Sequence, residues 1–304
     1  MRIALVLHDA SPEPDGAPLF PTVALERDGA LYRVSELARA FGPRYAALED
    51  DADFHHAVVS LGAEPLRELD ERLKSGERPS SARLLPGTFT WLPPCDPQRA
   101  AFLTCAPHPR STPLPAAPPA FHIGSARALL GHEATVPIAQ GAPSFDDGAR
   151  GSALDADASL AVLLGDDLCC ATASEAERAI LGYTLLLTWR PGLSAQLGPV
   201  LVTRDEAGPL AALRTLFRIG GATLPTADLG AWTFSPAESV AWISHHVPLQ
   251  AGDVIGAGRL PGGCAAEAGA KLSFGMRVEM TIERIGRLAG RAVEGPPPRA
   301  WKQA

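Results

Sequence analysis

The chain has 304 residues, enough for one large domain or two unequal ones. At 46% hydrophobic and 20% charged it holds ample material for a packed core and is not a disordered chain. Its 34 acidic and 27 basic side chains leave a formal charge of −7. Lys74, Lys271 and Lys302 are the only lysines and no Lys/Arg block occurs, so neither nucleic acid nor an anionic membrane is an expected partner.

Met1-Arg2-Ile3-Ala4-Leu5-Val6-Leu7 is apolar and β-prone, and His8-Asp9 follows at once, so it reads as a first strand and not a leader peptide. No run approaches the ~18 apolar residues of a membrane span. Cys95, Cys105, Cys169, Cys170 and Cys264 show no CxxC or Cys/His zinc spacing. Reduced thiols in a cytoplasmic protein are the expectation.

Two β-prone runs, 19–25 and 30–34, flank Asp28-Gly29 and predict a hairpin. Ser35 is expected to cap a short helix through Phe41. A second helix starts near Pro65 and carries Leu66, Leu69 and Leu73 on one stripe. Six prolines between 107 and 119 make 106–119 an extended connector between a β-rich unit of 1–105 and a larger unit of 120–295. Leu160-Ala161-Val162-Leu163-Leu164 is a buried strand ending at Gly165, and the vicinal pair Cys169-Cys170 reads as buried packing thiols. Ser174-Glu175-Ala176-Glu177 reads as a capping box, and Ser235-Pro236-Ala237-Glu238 as a stronger one opening a helix to about His246. Residues 249–255 are a turn entering a strand, 275–282 alternates with period two as a half-exposed strand, and 296–304 is a loose tail. The glycine-rich 256–262 opens no helix, so a dinucleotide fold is excluded. Ser125 and Ser144 lack the Gly-x-Ser-x-Gly context of a serine hydrolase. The coarse result is a mainly β, α+β protein.

Five ordered blocks carry a family resemblance. They are Leu160–Gly165 as a strand ending in glycine, Gly182-Tyr183-Thr184, Leu197-Gly198-Pro199, the 235–244 helix with its Gly252-Asp253-Val254-Ile255 turn and following glycines, and the terminal 272–286 strand pair. Together they resemble the C-terminal domain of the fumarylacetoacetate hydrolase superfamily. The resemblance implies a twisted β-roll, a homodimer, and Mg²⁺ or Mn²⁺ held by a Glu-x-Glu pair and an Asp. Such a cation polarises a dicarbonyl or enolate substrate as a Lewis acid.

Carried over position by position, the acidic pair falls on Asp157 and Ser159 and the third ligand on Thr188. One carboxylate remains of three. No lysine precedes Leu197, and Gly258-Arg259-Leu260 stands where the family has Gly-Thr/Ser-Pro. The expectation is therefore a divergent or inactive member with no cofactor, Mg²⁺ or Mn²⁺ returning only if the site is active. The alternative is an active hydrolase or isomerase of an acylpyruvate or dienoate-type acid. Tyr183, Arg190 and Arg259 are candidate cleft residues. The two arginines could take a small carboxylate ligand without a metal.

Overall fold

The first strand, β1 (Arg2–His8), pairs antiparallel with β2 (Phe20–Arg27), which turns into β3 (Ala30–Arg33). Asp28 and Gly29 make that turn at φ 51° and 75°. Two left-handed residues in succession match the right-handed twist of the strands they join. Helix α1 (Val34–Phe41) follows β3 without a connecting residue. Arg33 therefore holds the N-cap position with no side-chain bond, and Ser35 is drawn into the first turn instead of capping it. Helix α2 (Glu64–Lys74) opens on Pro65 and buries Leu66, Leu69 and Leu73. Asp70 is also buried on α2 and meets Arg27 at 2.5 Å and Lys74 at 3.1 Å. Then come β4 (Arg83–Leu84), β5 (Phe89–Leu92) and β6 (Ala101–Cys105).

The structure, a computed structural model, describes residues 1–8, 20–50, 53–105, 119–138, 154–191, 194–226 and 228–297. Of the expected connector over 106–119 and tail over 296–304, residues 106–118 and 298–304 lie outside the described residues, as does Ser144. Beyond 119 run β7 (Phe121–Ser125), β8 (Leu129–Leu130), β9 (Thr135–Ile138) and the wholly buried β10 (Asp155–Leu164). Next are α3 (Ala173–Ala179), β11 (Ile180–Arg190), β12 (Ala195–Thr203), α4 (Arg204–Ala207), β13 (Thr215–Ile219) and β14 (Ala222–Leu224). The chain closes with α5 (Pro236–Ser244), β15 (Val254–Cys264), β16 (Arg277–Ile282) and β17 (Gly286–Glu294).

The capping box on α5 is formed by Ser235 and Glu238. The box on α3 is formed by Thr172 and Glu175, two residues before the expected Ser174, because the helix starts at Ala173. The glycine-rich 256–262, which opens no helix, is part of a strand, β15.

Among the described residues, two sheets organise the fold. The larger has twelve strands, in the order β4-β3-β2-β1-β12-β11-β10-β15-β6-β7 with β5 on β1 and β8 on β12. The smaller runs β14-β13-β16-β17-β9. Most pairs are antiparallel, and β1 docks directly on β12 with Ile3 opposite Leu201. The strands before residue 105 thus continue the sheet of the later ones. Leu185, Leu186 and Leu187 of β11 are buried within this one chain, so that apolar run is already covered.

Gln196 on β12 ties the two sheets together. Its fully buried amide accepts from the Trp189 indole N–H (3.0 Å) and donates to the carbonyls of Gly131 (3.0 Å) and Ala289 (3.3 Å). A Cβ at Gly290 would lie 2.1 Å from the Gln196 Oε1, so glycine makes the close approach possible. Gln196→Leu would strand the buried indole donor, at about 1–3 kcal/mol, and take one donor from two carbonyls that keep the N–H groups of Ala134 and Glu133. The expected outcome is a fall in Tm of roughly 2–6 °C by scanning calorimetry. An unchanged Tm would contradict this role.

His132 stands beside the same junction, accepting the Ala289 N–H at Nδ1 (3.1 Å). That bond requires the neutral ring, and burial lowers its pKa to about 4. The unfolded chain takes up this proton near pH 6.5 and the folded chain only near 4. Stability is therefore present above the unfolded value and lost as pH falls through the window, by up to roughly 3 kcal/mol. His132→Gln should flatten the pH dependence of denaturant midpoints between pH 6.5 and 4. An identical slope in the variant would refute the assignment.

Candidate functional site

Alternate residues of a strand share one face, so Asp155, Asp157 and Ser159 of β10 point the same way. On one side β11 sets Arg190 opposite Asp155 and Thr188 opposite Asp157. On the other side β15 sets Cys264 opposite Asp157 and Arg259 opposite Ser159. Between those two pairs β10 advances two residues while β15 advances five, from Arg259 to Cys264. This wide irregularity runs through Gly262, whose φ is 77° and whose Cβ would lie 2.3 Å from the Pro225 carbonyl oxygen. It is what brings both Arg259 and Cys264 onto the carboxylates.

Arg190 Nη2 lies between the two acids, 2.5 Å from Asp155 Oδ2 and 3.0 Å from Asp157 Oδ2. Arg259 Nη1 reaches Asp157 Oδ1 at 3.3 Å, and its Nη2 reaches Glu267 Oε1 at 2.6 Å. Asp155 Oδ1 accepts the backbone N–H groups of Ala156 (2.8 Å) and Ala266 (3.0 Å). The Cys264 thiol donates to Asp155 Oδ2 at 3.5 Å. Burial pushes that thiol up to about 11, with Asp157 and Asp155 adding to the effect, so it carries its proton at neutral pH. Burial also raises the Asp157 carboxyl above its ordinary value, and Arg190 and Arg259 pull against that shift.

Asp155, Asp157 and Cys264 each offer one potential ligand atom, all within 4.8 Å of one another. Their surroundings do not suit a hard divalent cation. Three of the four carboxylate oxygens already accept hydrogen bonds, the fourth, Asp157 Oδ2, is ion-paired to the guanidinium nitrogen that sits between the two Oδ2 atoms, and the third donor is a protonated, soft thiol. Ser159 and Thr188, at the remaining family-equivalent positions, carry no charge.

The structure does not bring Tyr183 to this cluster. Tyr183 alternates to the opposite face of β11, with Leu185, Leu187 and Trp189, and stands opposite Val162. There it lines a separate cavity of about 430 Å³ with Leu210, Leu229 and Trp232. Burial drives its phenol up to about 12. Asp155, Cys264 and Glu267 also belong to the cluster. Asp155 was legible as an upstream carboxylate able to compensate at the site, and period two from Asp157 puts it on the same face without a slip of register; nothing local marks the other two, which arrive through the β15 irregularity.

The C-terminal domain model of fumarylacetoacetate (FAA) hydrolase matches residues 99–190 and 192–293, more than half of the chain. The mitochondrial oxaloacetate tautomerase FAHD2A of Bos taurus is 31% identical over 98 residues, 32% of this chain and 31% of that protein. Its Homo sapiens counterpart is likewise 31% identical over the same length. The aligned region thus spans about a third of these curated relatives. Maleylpyruvate hydrolase of Sphingobium sp. SYK-6, solved in complex with manganese(II) and pyruvate, superposes with a TM-score of 0.70 at 18% identity, covering 97% of this chain and 100% of that one. Fumarylacetoacetate hydrolase of the psychrophile Exiguobacterium antarcticum gives 0.66 at 17% identity, with coverage of 97% and 100%. At such identities the likeness is one of fold. The family match over both segments, with these folds along the full length, makes this chain a member of the fumarylacetoacetate hydrolase family.

Proposed function

We propose that this chain is a divergent family member in which two guanidinium groups stand in place of the divalent cation, so that it does not perform the family's metal-assisted chemistry. The observation that carries this reading is Arg190 Nη2 held between Asp155 and Asp157, with Arg259 on the outer oxygen of Asp157. A dication works as a Lewis acid because it leaves coordination positions open to substrate oxygens. A guanidinium spreads one charge over a plane, and here its N–H groups face the protein's own acids.

Because Arg190 and Arg259 are engaged by Asp155, Asp157 and Glu267, their charge for an incoming carboxylate is largely offset within the cluster. The reading includes a homodimer, the family's usual assembly. What supports a second copy is the edge strand β7, which ends the twelve-stranded sheet and leaves Ile123 66% exposed.

The alternative is an active hydrolase or isomerase of an acylpyruvate or dienoate-type acid, or a tautomerase of oxaloacetate like the curated relatives. It draws on the Asp155, Asp157 and Cys264 donor atoms. Turnover of an acylpyruvate and tautomerisation of oxaloacetate, each followed with and without Mn²⁺, separate the two. The expected rates equal those of the Asp157→Asn variant, whatever the metal. Mn²⁺-dependent turnover that Asp157→Asn abolishes would establish the active reading.

A further inference from the structure

Outside the acid–arginine cluster, one pair of reactive side chains has no part in the family's chemistry. Cys169 and Cys170, expected as buried thiols, are both exposed, with their sulfurs 3.9 Å apart. Neighbouring side chains of an extended strand point to opposite faces. Here Cys170 adopts a left-handed φ of 51°, which breaks that alternation and turns both sulfurs to the same side.

The segment is pinned on both flanks. Leu168 exchanges two backbone bonds of 2.9 Å with Leu249, the Cys170 N–H donates to the Ser244 carbonyl (3.0 Å), and the Ala171 N–H donates to the Ser244 hydroxyl (2.9 Å). Both contacts tie the dithiol to the end of α5 and the turn after it, so the pair is presented on an anchored backbone.

Three fates are open to such a pair. A disulfide is disfavoured, because adjacent Cα atoms across a trans peptide lie about 3.8 Å apart, below the usual disulfide span of about 4.4–6.8 Å. Zinc needs about four ligands, and among the described residues no His, Cys, Asp or Glu joins these sulfurs in a three-ligand group. A soft centre satisfied by two sulfurs remains, and thiolates select soft centres.

The geometry points to Cys169 and Cys170 as a vicinal dithiol site that captures one trivalent arsenical per chain through two As–S bonds. The exchange balances without electron transfer. Hydrated phenylarsine oxide, PhAs(OH)₂, gives up two As–O bonds for two As–S bonds, and its hydroxyls leave with the two thiol protons as two waters. The phenyl carbon fills the third valence, so no other protein ligand is needed. Competition from the remaining thiols is weak. Cys95, Cys105 and Cys264 are buried, and burial pushes them up to about 12, 11 and 11.

The test is intact-chain mass spectrometry of the reduced, native protein with phenylarsine oxide. The expected result is one arsenical per chain, displaced by 2,3-dimercaptopropanol but not by excess monothiol. Cys169→Ser and Cys170→Ser should each weaken capture about a hundredfold or more, since each removes one arm of the chelate. Maleimide counting gives a second readout, in which capture should shield two thiols together. Wild-type capture surviving either substitution, no capture at all, or shielding of a single thiol would overturn the proposal. Both positions are exposed, and circular dichroism of the serine variants verifies that they are folded.

Discussion

Two acids buried side by side on one strand cannot both stay ionised without positive charge at contact distance. Asp155 and Asp157 impose that constraint, and much of the local architecture answers it. β11 extends to Arg190 so that its guanidinium bridges the two carboxylates, and β15 breaks its regular pairing to bring in Arg259, Cys264 and the Ala266 N–H. With Glu267 included, three acids face two arginines, a sum of one negative charge.

The family resemblance implies a comparable sum reached differently, with three carboxylates around one dication. In the proposed reading the count of positive charge is preserved while its chemistry changes. A metal ion concentrates two charges at a point and exchanges waters for substrate oxygens; two guanidinia distribute the same charge over directed hydrogen bonds. Ser159 and Thr188 fit this arrangement as neutral residues, since a further acid at either place would be left without a cation. The site is best understood as an internally satisfied ion-pair network on a scaffold shared with metal enzymes.

The parts of the fold that are local in origin were legible in the sequence. Asp28-Gly29 fixed a hairpin through its positive φ values, Pro65 and the leucines after it fixed α2, and Ser235 with Glu238 fixed the start of α5. Misreadings arose where a neighbour decided the outcome. Thr172 outcompeted Ser174 as a cap because the preceding chain enters α3 there, and Cys169-Cys170 surfaced because one left-handed residue turned them outward. The attachment of β1 to β12, across 200 residues of sequence, leaves no local trace. The candidate site was half legible: Asp157, Arg190 and Arg259 stood out by comparison with the family pattern. That they contact one another depends on strand register, which composition and periodicity do not determine.

The central claim, that guanidinium charge replaces a divalent cation, is tested most directly by titrating Mn²⁺ into the protein by calorimetry, alongside the Arg190→Met variant. The account predicts no binding in the micromolar range for the natural chain, and a measurable gain once the bridging guanidinium is gone and Asp155 and Asp157 are exposed to the ion. Micromolar Mn²⁺ binding by the natural chain, lost on Asp157→Asn, would contradict it.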